Sequence, residues 1–166
     1  MEQSANKYAM QNGLIAGVIL SLKFLFSTSK NSTLGILAFM LSVSVVVFLF
    51  FIAKRFRETH CDNVISYGQS FSYIFRVYFY GAVISSLVVL VFNFLEPEYA
   101  AGMLNDVMII YDRFHIPVED STYEMMQNMY KPAPFALLNV FAGVLGGAFW
   151  GLILAGFIKK EKSIFE

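Results

Sequence analysis

The sequence predicts an all-α integral membrane protein, a bundle of four transmembrane helices with amphipathic helices in the outer loop between the third and fourth spans. Three observations carry that expectation. Four stretches, about 8–27, 34–53, 71–95 and 135–158, are apolar over bilayer length, which needs roughly 20 residues at about 1.5 Å each. Only 14% of residues are charged, against about a quarter in a soluble domain, while 57% are hydrophobic and 17% aromatic. Small residues recur every fourth position in the first and last spans, the spacing at which helices approach closely in lipid. With 166 residues the chain is expected to form a single membrane domain, 1–166.

The first span, Tyr8 to Ser27, begins with Gln11 and Asn12 and carries Lys23 near its far end. From there the ammonium can snorkel to the Ser27-Thr28-Ser29-Lys30 turn. No small-x-small cleavage site follows the apolar run, so a retained span is expected over a cleaved signal peptide. Ala9, Gly13, Gly17 and Ser21 form its small-residue row. The second span, Leu34 to Ala53, has no charge and ends on Lys54, Arg55 and Arg57. Its valines would weaken a soluble helix, yet in lipid only a helix satisfies its own backbone, and Ser42 and Ser44 can bond back one turn.

A polar stretch, 54–70, leads into the third span, Phe71 to Leu95. Arg76 is expected to snorkel toward the Lys54 side, and Tyr73, Tyr78 and Tyr80 cluster near that end as interfacial aromatics do. Gly81 and Ser85 form a further small pair, and Asn93 is placed to bond across helices or to reach headgroups. Residues 96–134 then make the one sizeable region outside the bilayer. Tyr99, Met103, Val107, Ile110, Tyr111 and Phe114 trace an apolar stripe of helical period. Ser121-Thr122-Tyr123-Glu124 reads as a capping box opening a second short helix, with Tyr123, Met126, Met129 and Tyr130 on one face. Pro132 and Pro134 end that helix and start the last span, Phe135 to Ile158. Asn139, Gly143, Gly147, Gly151 and Ala155 line one row of it, where another helix can come close. The row of the first span is a natural counterpart, and pairing within one chain or between chains is left open.

Four spans put both termini and the 54–70 loop on one side. That side holds Lys7, Lys54, Arg55, Arg57, Lys159, Lys160 and Lys162, against Lys30, Arg113 and Lys131 opposite. The excess of positive charge places the termini in the cytoplasm of a bacterial inner membrane and 96–134 outside, where that loop is acidic. Cys61 then lies in a reducing compartment and, being the only cysteine, has no intramolecular disulfide partner.

Chemistry-bearing residues are few. Glu58, His60, Cys61 and Asp62 are potential ligands, but adjacent residues point apart and no CxxC or HxxxH spacing completes a zinc set. His115 reads as a turn residue beside Phe114. No GxSxG, HExxH, P-loop or GxGxxG sequence occurs, and no span holds an acidic residue. Basic residues form no aromatic-interleaved patch, which argues against nucleic acid as a partner. No cofactor or metal is expected, the lipid bilayer is the first partner, and no duplicated halves are evident.

The GLIAGVIL run, the ISYGQSFSYIFR start of the third span, the FLEPEY exit and the glycine-rich end LILAGFIKKEK together resemble the bacterial membrane proteins grouped as domain of unknown function 4199. The resemblance implies a four-span inner-membrane protein, typically from Bacteroidetes-type bacteria, and carries no activity or site residue. From the residues themselves the leading expectation is a non-enzymatic membrane protein acting through helix association, as a homo-oligomer or with a membrane partner. The alternative is a small transport or channel component in which the acidic outer loop gathers a cation.

Overall fold

The computed structural model describes residues 2–29 and 31–161; Lys30 and Lys162, both counted in the charge argument, lie outside the described residues. The elements are α1 (Glu2–Thr28), α2 (Ser32–His60), α3 (Tyr67–Leu95), α4 (Pro97–Arg113), α5 (Asp120–Met129) and α6 (Pro132–Ile158). Four of them, α1, α2, α3 and α6, are long and apolar enough to cross a membrane. All run past the apolar stretches, since a helix satisfies its own backbone in a polar medium as well as in lipid. Thus α2 continues through Lys54, Arg55 and Arg57 to His60.

Local signals set the ends. Asn31 caps α2, its Oδ1 accepting from the Thr33 N–H at 2.8 Å. A capping box opens α3, where the Gln69 N–H donates to Ser66 Oγ and the Ser66 N–H donates back to Gln69 Oε1. That box moves the start of α3 to Tyr67, four residues before the apolar run. By contrast, the box expected at Ser121 does not form. α5 begins at Asp120 with Glu119 in the cap position and no side-chain cap bond, so Ser121 is already inside the helix. Ser66→Ala is expected to cost about 1 kcal/mol of helix-start stability. Faster amide exchange confined to 66–70 is the reading that checks it.

Packing is organised around α3, with α1 and α6 along it and α2 chiefly against α1. Gly81 of α3 meets α1 and the adjacent Ala82 meets α6. Successive helical residues lie about 100° apart, so α1 and α6 occupy neighbouring faces of one axis. The buried cluster includes Ala16, Val45, Leu49, Ile74 and Val77, while Phe39, Phe94, Leu145 and Phe157 stay exposed. Small residues at the contacts of α3 with α1 and α6, and large apolar side chains left outward, is an order that lipid solvation permits.

The end at which α1 begins and α6 finishes is tied by polar contacts. Arg57 Nη1 donates to the Ile158 carbonyl at 2.9 Å, satisfying an end-of-helix acceptor of α6. Ile65 and Lys160 exchange two backbone hydrogen bonds, at 2.9 and 3.0 Å. The Tyr67 hydroxyl donates to the Leu152 carbonyl. At the other end α4 and α5 run from the end of α3 to the start of α6. Ala100 and Leu104 are the buried residues of α4, flanked by half-buried Tyr99, Met103, Val107 and Tyr111. The predicted stripe therefore holds except at Ile110 and Phe114, which are exposed near the helix end. In α5 Met126 is half-buried, as is Tyr130 just past its end, and Tyr123 and Met129 are exposed. His115 follows α4 with φ 54°, a left-handed turn position.

Candidate functional site

Two seams and one groove gather most of the residues that the sequence singles out. In the first seam Ala9, Gly13, Gly17 and Ser21 are all buried. A Cβ on Gly13 would lie 2.5 Å from Tyr80 Cβ, and one on Gly17 2.7 Å from Ile84 Cβ. Ser21 Oγ donates to the Gly17 carbonyl at 2.7 Å, so its polar group is satisfied within α1. In the second seam a Cβ on Gly143 would overlap that of Ala82, while Gly147 faces the Tyr78 ring and Gly151 the Phe71 ring. Ala155 is fully buried.

Both rows therefore face α3 and not each other, which corrects the expected pairing of the first span with the last. The reason is that α3 offers small residues on two neighbouring faces, Gly81 toward α1 and Ala82 toward α6. Backbones approach most closely where both sides are small.

Asn139, at the head of the second row, leaves the seam. It is half-buried and lines a groove of about 230 Å³ between α1, α3 and α6. Lys23 and Ser27 of α1 and Tyr78 and Ser85 of α3 line the same groove, with Leu20 and Phe24 as apolar wall. The seam contacts of Gly143 with Ala82 and of Gly147 with Tyr78 close it toward mid-helix. Its other end adjoins the start of α4, since the Phe24 ring stands edge-on to both Phe92 and Tyr99. Lys23 is half-buried in this wall, and among the described residues no carboxylate pairs with it. Sequence reading missed the groove because Lys23 and Asn139 are far apart in the chain and meet only through α3.

The remaining candidates sit elsewhere. Asn93 is 1% exposed; its Nδ2 donates to the Val89 carbonyl of its own helix, and Oδ1 is buried without a partner among the described residues. It thus neither reaches headgroups nor bonds across helices, as helix geometry brings the i−4 carbonyl within reach first. At the terminus end His60 lies against Tyr8 and stacks on Phe56, which stacks on Tyr73. The Tyr73 hydroxyl accepts from Asn12 Nδ2 at 3.0 Å. A cavity of about 330 Å³ there is lined by Phe56, Cys61, Gln69, Tyr73 and Arg76. Glu58 pairs with Arg57, and Asp62 takes a left-handed turn, so these do not converge with His60 and Cys61. Among the described residues no three His, Cys, Asp or Glu side chains are placed to hold a metal ion.

Burial, with the Asp62 carboxylate adding, pushes the Cys61 thiol above its ordinary range. The thiolate is the reactive form, so Cys61 is expected to alkylate slowly near neutral pH and faster as pH rises past 9. A pH series of maleimide labelling checks this; a rate equal to that of a free thiol at pH 7.5 would contradict it.

No curated protein and no solved structure matches the chain significantly. A family model does, over residues 11–160, which is most of the chain and takes in α2, α3 and α6 whole, the greater part of α1, and the connection between α3 and α6. On that match the chain belongs to the family described as protein of unknown function (DUF4199).

Proposed function

We propose that this chain is a non-enzymatic protein of the bacterial inner membrane that works through helix association, its own four long helices joining a homo-oligomer or a membrane partner. The observation that supports it most is the pair of seams. Gly13 and Gly17 on one side and Gly143 and Gly147 on the other bring backbones together at distances that tolerate no added carbon without a shift. Sequence is spent there on close packing in lipid. Since α3 occupies both rows, an oligomer would meet through lipid-facing surface outside them. In lipid nanodiscs at high lipid excess, counting of photobleaching steps should give more than one copy, or a membrane subunit should co-purify at fixed stoichiometry. Single copies with no such subunit would remove this reading.

The charge distribution supports cytoplasmic termini and an external 96–134 region. Glu119 is exposed and makes no cap bond, so Glu119→Cys in a Cys61→Ser background is a clean reporter. A membrane-impermeant maleimide should label it in intact cells, while in the wild-type chain Cys61, probed at alkaline pH because its thiol reacts slowly near neutrality, should label only after the membrane is opened. The reverse pattern would invert the topology.

A second reading, a small transport or channel component, is favoured by the groove at Lys23 and Asn139 and by the seven carboxylates of 96–134, all of them exposed. Passage through the chain would require the Gly143–Ala82 seam to part. Solute flux in proteoliposomes that Asn139→Ala alters while the helices stay folded would carry that reading; a sealed vesicle would end it.

A further inference from the structure

We propose that the groove between α1, α3 and α6 is a binding site for the anionic headgroup of a phospholipid, with Lys23 as the counter-charge and Asn139 as the second anchor. The argument begins with depth. Lys23 lies five residues before the end of α1 at Thr28, about 7–8 Å along the axis, the level at which a lipid phosphate meets the hydrocarbon. A lysine there needs either open water or an anion, because an ammonium among apolar side chains is costly when uncompensated. The described structure gives it neither a carboxylate nor a hydrogen bond. Instead, it lines a cavity with Ser27, Tyr78, Ser85 and Asn139.

Those four side chains define the chemistry. Among the described residues the Ser85 hydroxyl and both ends of the Asn139 amide make no hydrogen bond, and both residues line the cavity; the Tyr78 hydroxyl, also without one, lies deeper, against Gly146. Such groups go unsatisfied in lipid unless a polar ligand or water meets them. One positive charge sharing a cavity with hydroxyls and an amide suits a phosphate that carries further hydroxyl groups, and Leu20, Phe24 and Ala142 supply an apolar wall for the chain attached to it. A cavity of about 230 Å³ takes a headgroup and not a whole lipid, so the acyl chains would lie outside, along α1 and α6.

The source follows from charge. Glu96, Glu98, Asp106, Asp112, Glu119, Asp120 and Glu124 are exposed on the water side of this end, against Arg113 and Lys131. That field repels a dissolved anion. A lipid arrives sideways within the bilayer, beneath the acidic cap.

The test uses the full chain in nanodiscs of a zwitterionic phospholipid doped with one bearing an anionic glycerol headgroup. Native mass spectrometry should show the anionic lipid retained on the released protein at least tenfold over its share of the bilayer. Lys23→Gln should abolish that enrichment, Lys23→Arg should keep it, and Asn139→Ala should reduce it severalfold. Lys54→Gln, on exposed α2 surface, should leave it unchanged. A melting temperature within a few degrees of wild type for Lys23→Gln shows that the fold is intact; if that variant unfolds, Asn139→Ala and Lys23→Arg decide. A parallel arm adds glycerol phosphate to zwitterionic discs. Retention of glycerol phosphate without lipid enrichment would overturn the lipid source and assign the site to a dissolved anion. No enrichment in either arm, or enrichment equal in Lys23→Gln, would overturn the site altogether.

Discussion

Gly143→Leu is expected to separate α6 from α3 and abolish the folded monomer, with Gly147→Leu close behind. At Gly143 even a methyl group would overlap the Cβ of Ala82, an atom fixed to backbone that cannot rotate away. At Gly147 the nearest atoms are Tyr78 Cβ at 3.1 Å and Cδ1 at 3.2 Å, and at Gly151 they are Phe71 ring atoms at 3.1 and 3.2 Å. A ring can turn by a few tenths of an ångström, and the fixed Tyr78 Cβ needs to give only about as much, whereas the overlap with Ala82 is far larger. Alanine replacements should therefore rank Gly143, then Gly13, then Gly17, then Gly147 and Gly151, with overpacking penalties of about 1–3 kcal/mol at the upper end. Gly102 and Gly156 have nothing within 4 Å, so alanine there should be neutral or stabilise by up to roughly 1 kcal/mol, the helix-propensity gain. Thermal melts of the alanine series in one detergent test the order. Folded monomer for Gly147→Leu would mean that the row joins chains, and a flat series would dismiss both seams.

The four long helices were legible because hydropathy is a sum over about 20 positions, and single errors do not erase it. Their ends were less so. The apolar run at Phe71 hid a start at Tyr67 because Ser66 and Gln69 look like loop residues until their mutual hydrogen bonds are seen. Ser-x-x-Gln was the available signal, and Ser121-x-x-Glu124 shows why it is weak alone: Glu119 and Asp120 precede it and the helix starts earlier. Small-residue rows tell which face of a helix is approached, but not by what. Gly81 looked like one half of a minor pair with Ser85, whereas Gly81 and Ala82 together set the whole arrangement. The groove was less legible still, for the chain separates Lys23 from Asn139 by four helices in order, and only the shared axis of α3 brings them together.

Arg57→Leu is expected to loosen the terminus end of the molecule while sparing the seams. Its Nη1 donates to the Ile158 carbonyl, Nη2 lies 3.5 Å from Glu58 Oε1, and the side chain is only 14% exposed. Leucine removes the donor and leaves an end-of-helix carbonyl without it, a loss of about 1.5–3 kcal/mol for a bond to a charged group. The two backbone bonds between Ile65 and Lys160 depend on the same closure, because they join the loop after α2 to the residue that follows Lys159. Amide exchange should accordingly rise over 61–66 and 155–160, while 140–147, held on α3 by Gly143 and Gly147, keeps its protection. Arg57→Lys retains a charge and a donor but not the planar fork, and should fall between the two. Exchange that rises equally along all of α6 would show that the clamp and the glycine seam unfold as one unit. Exchange unchanged at 155–160 would show that the guanidinium contributes nothing to that end.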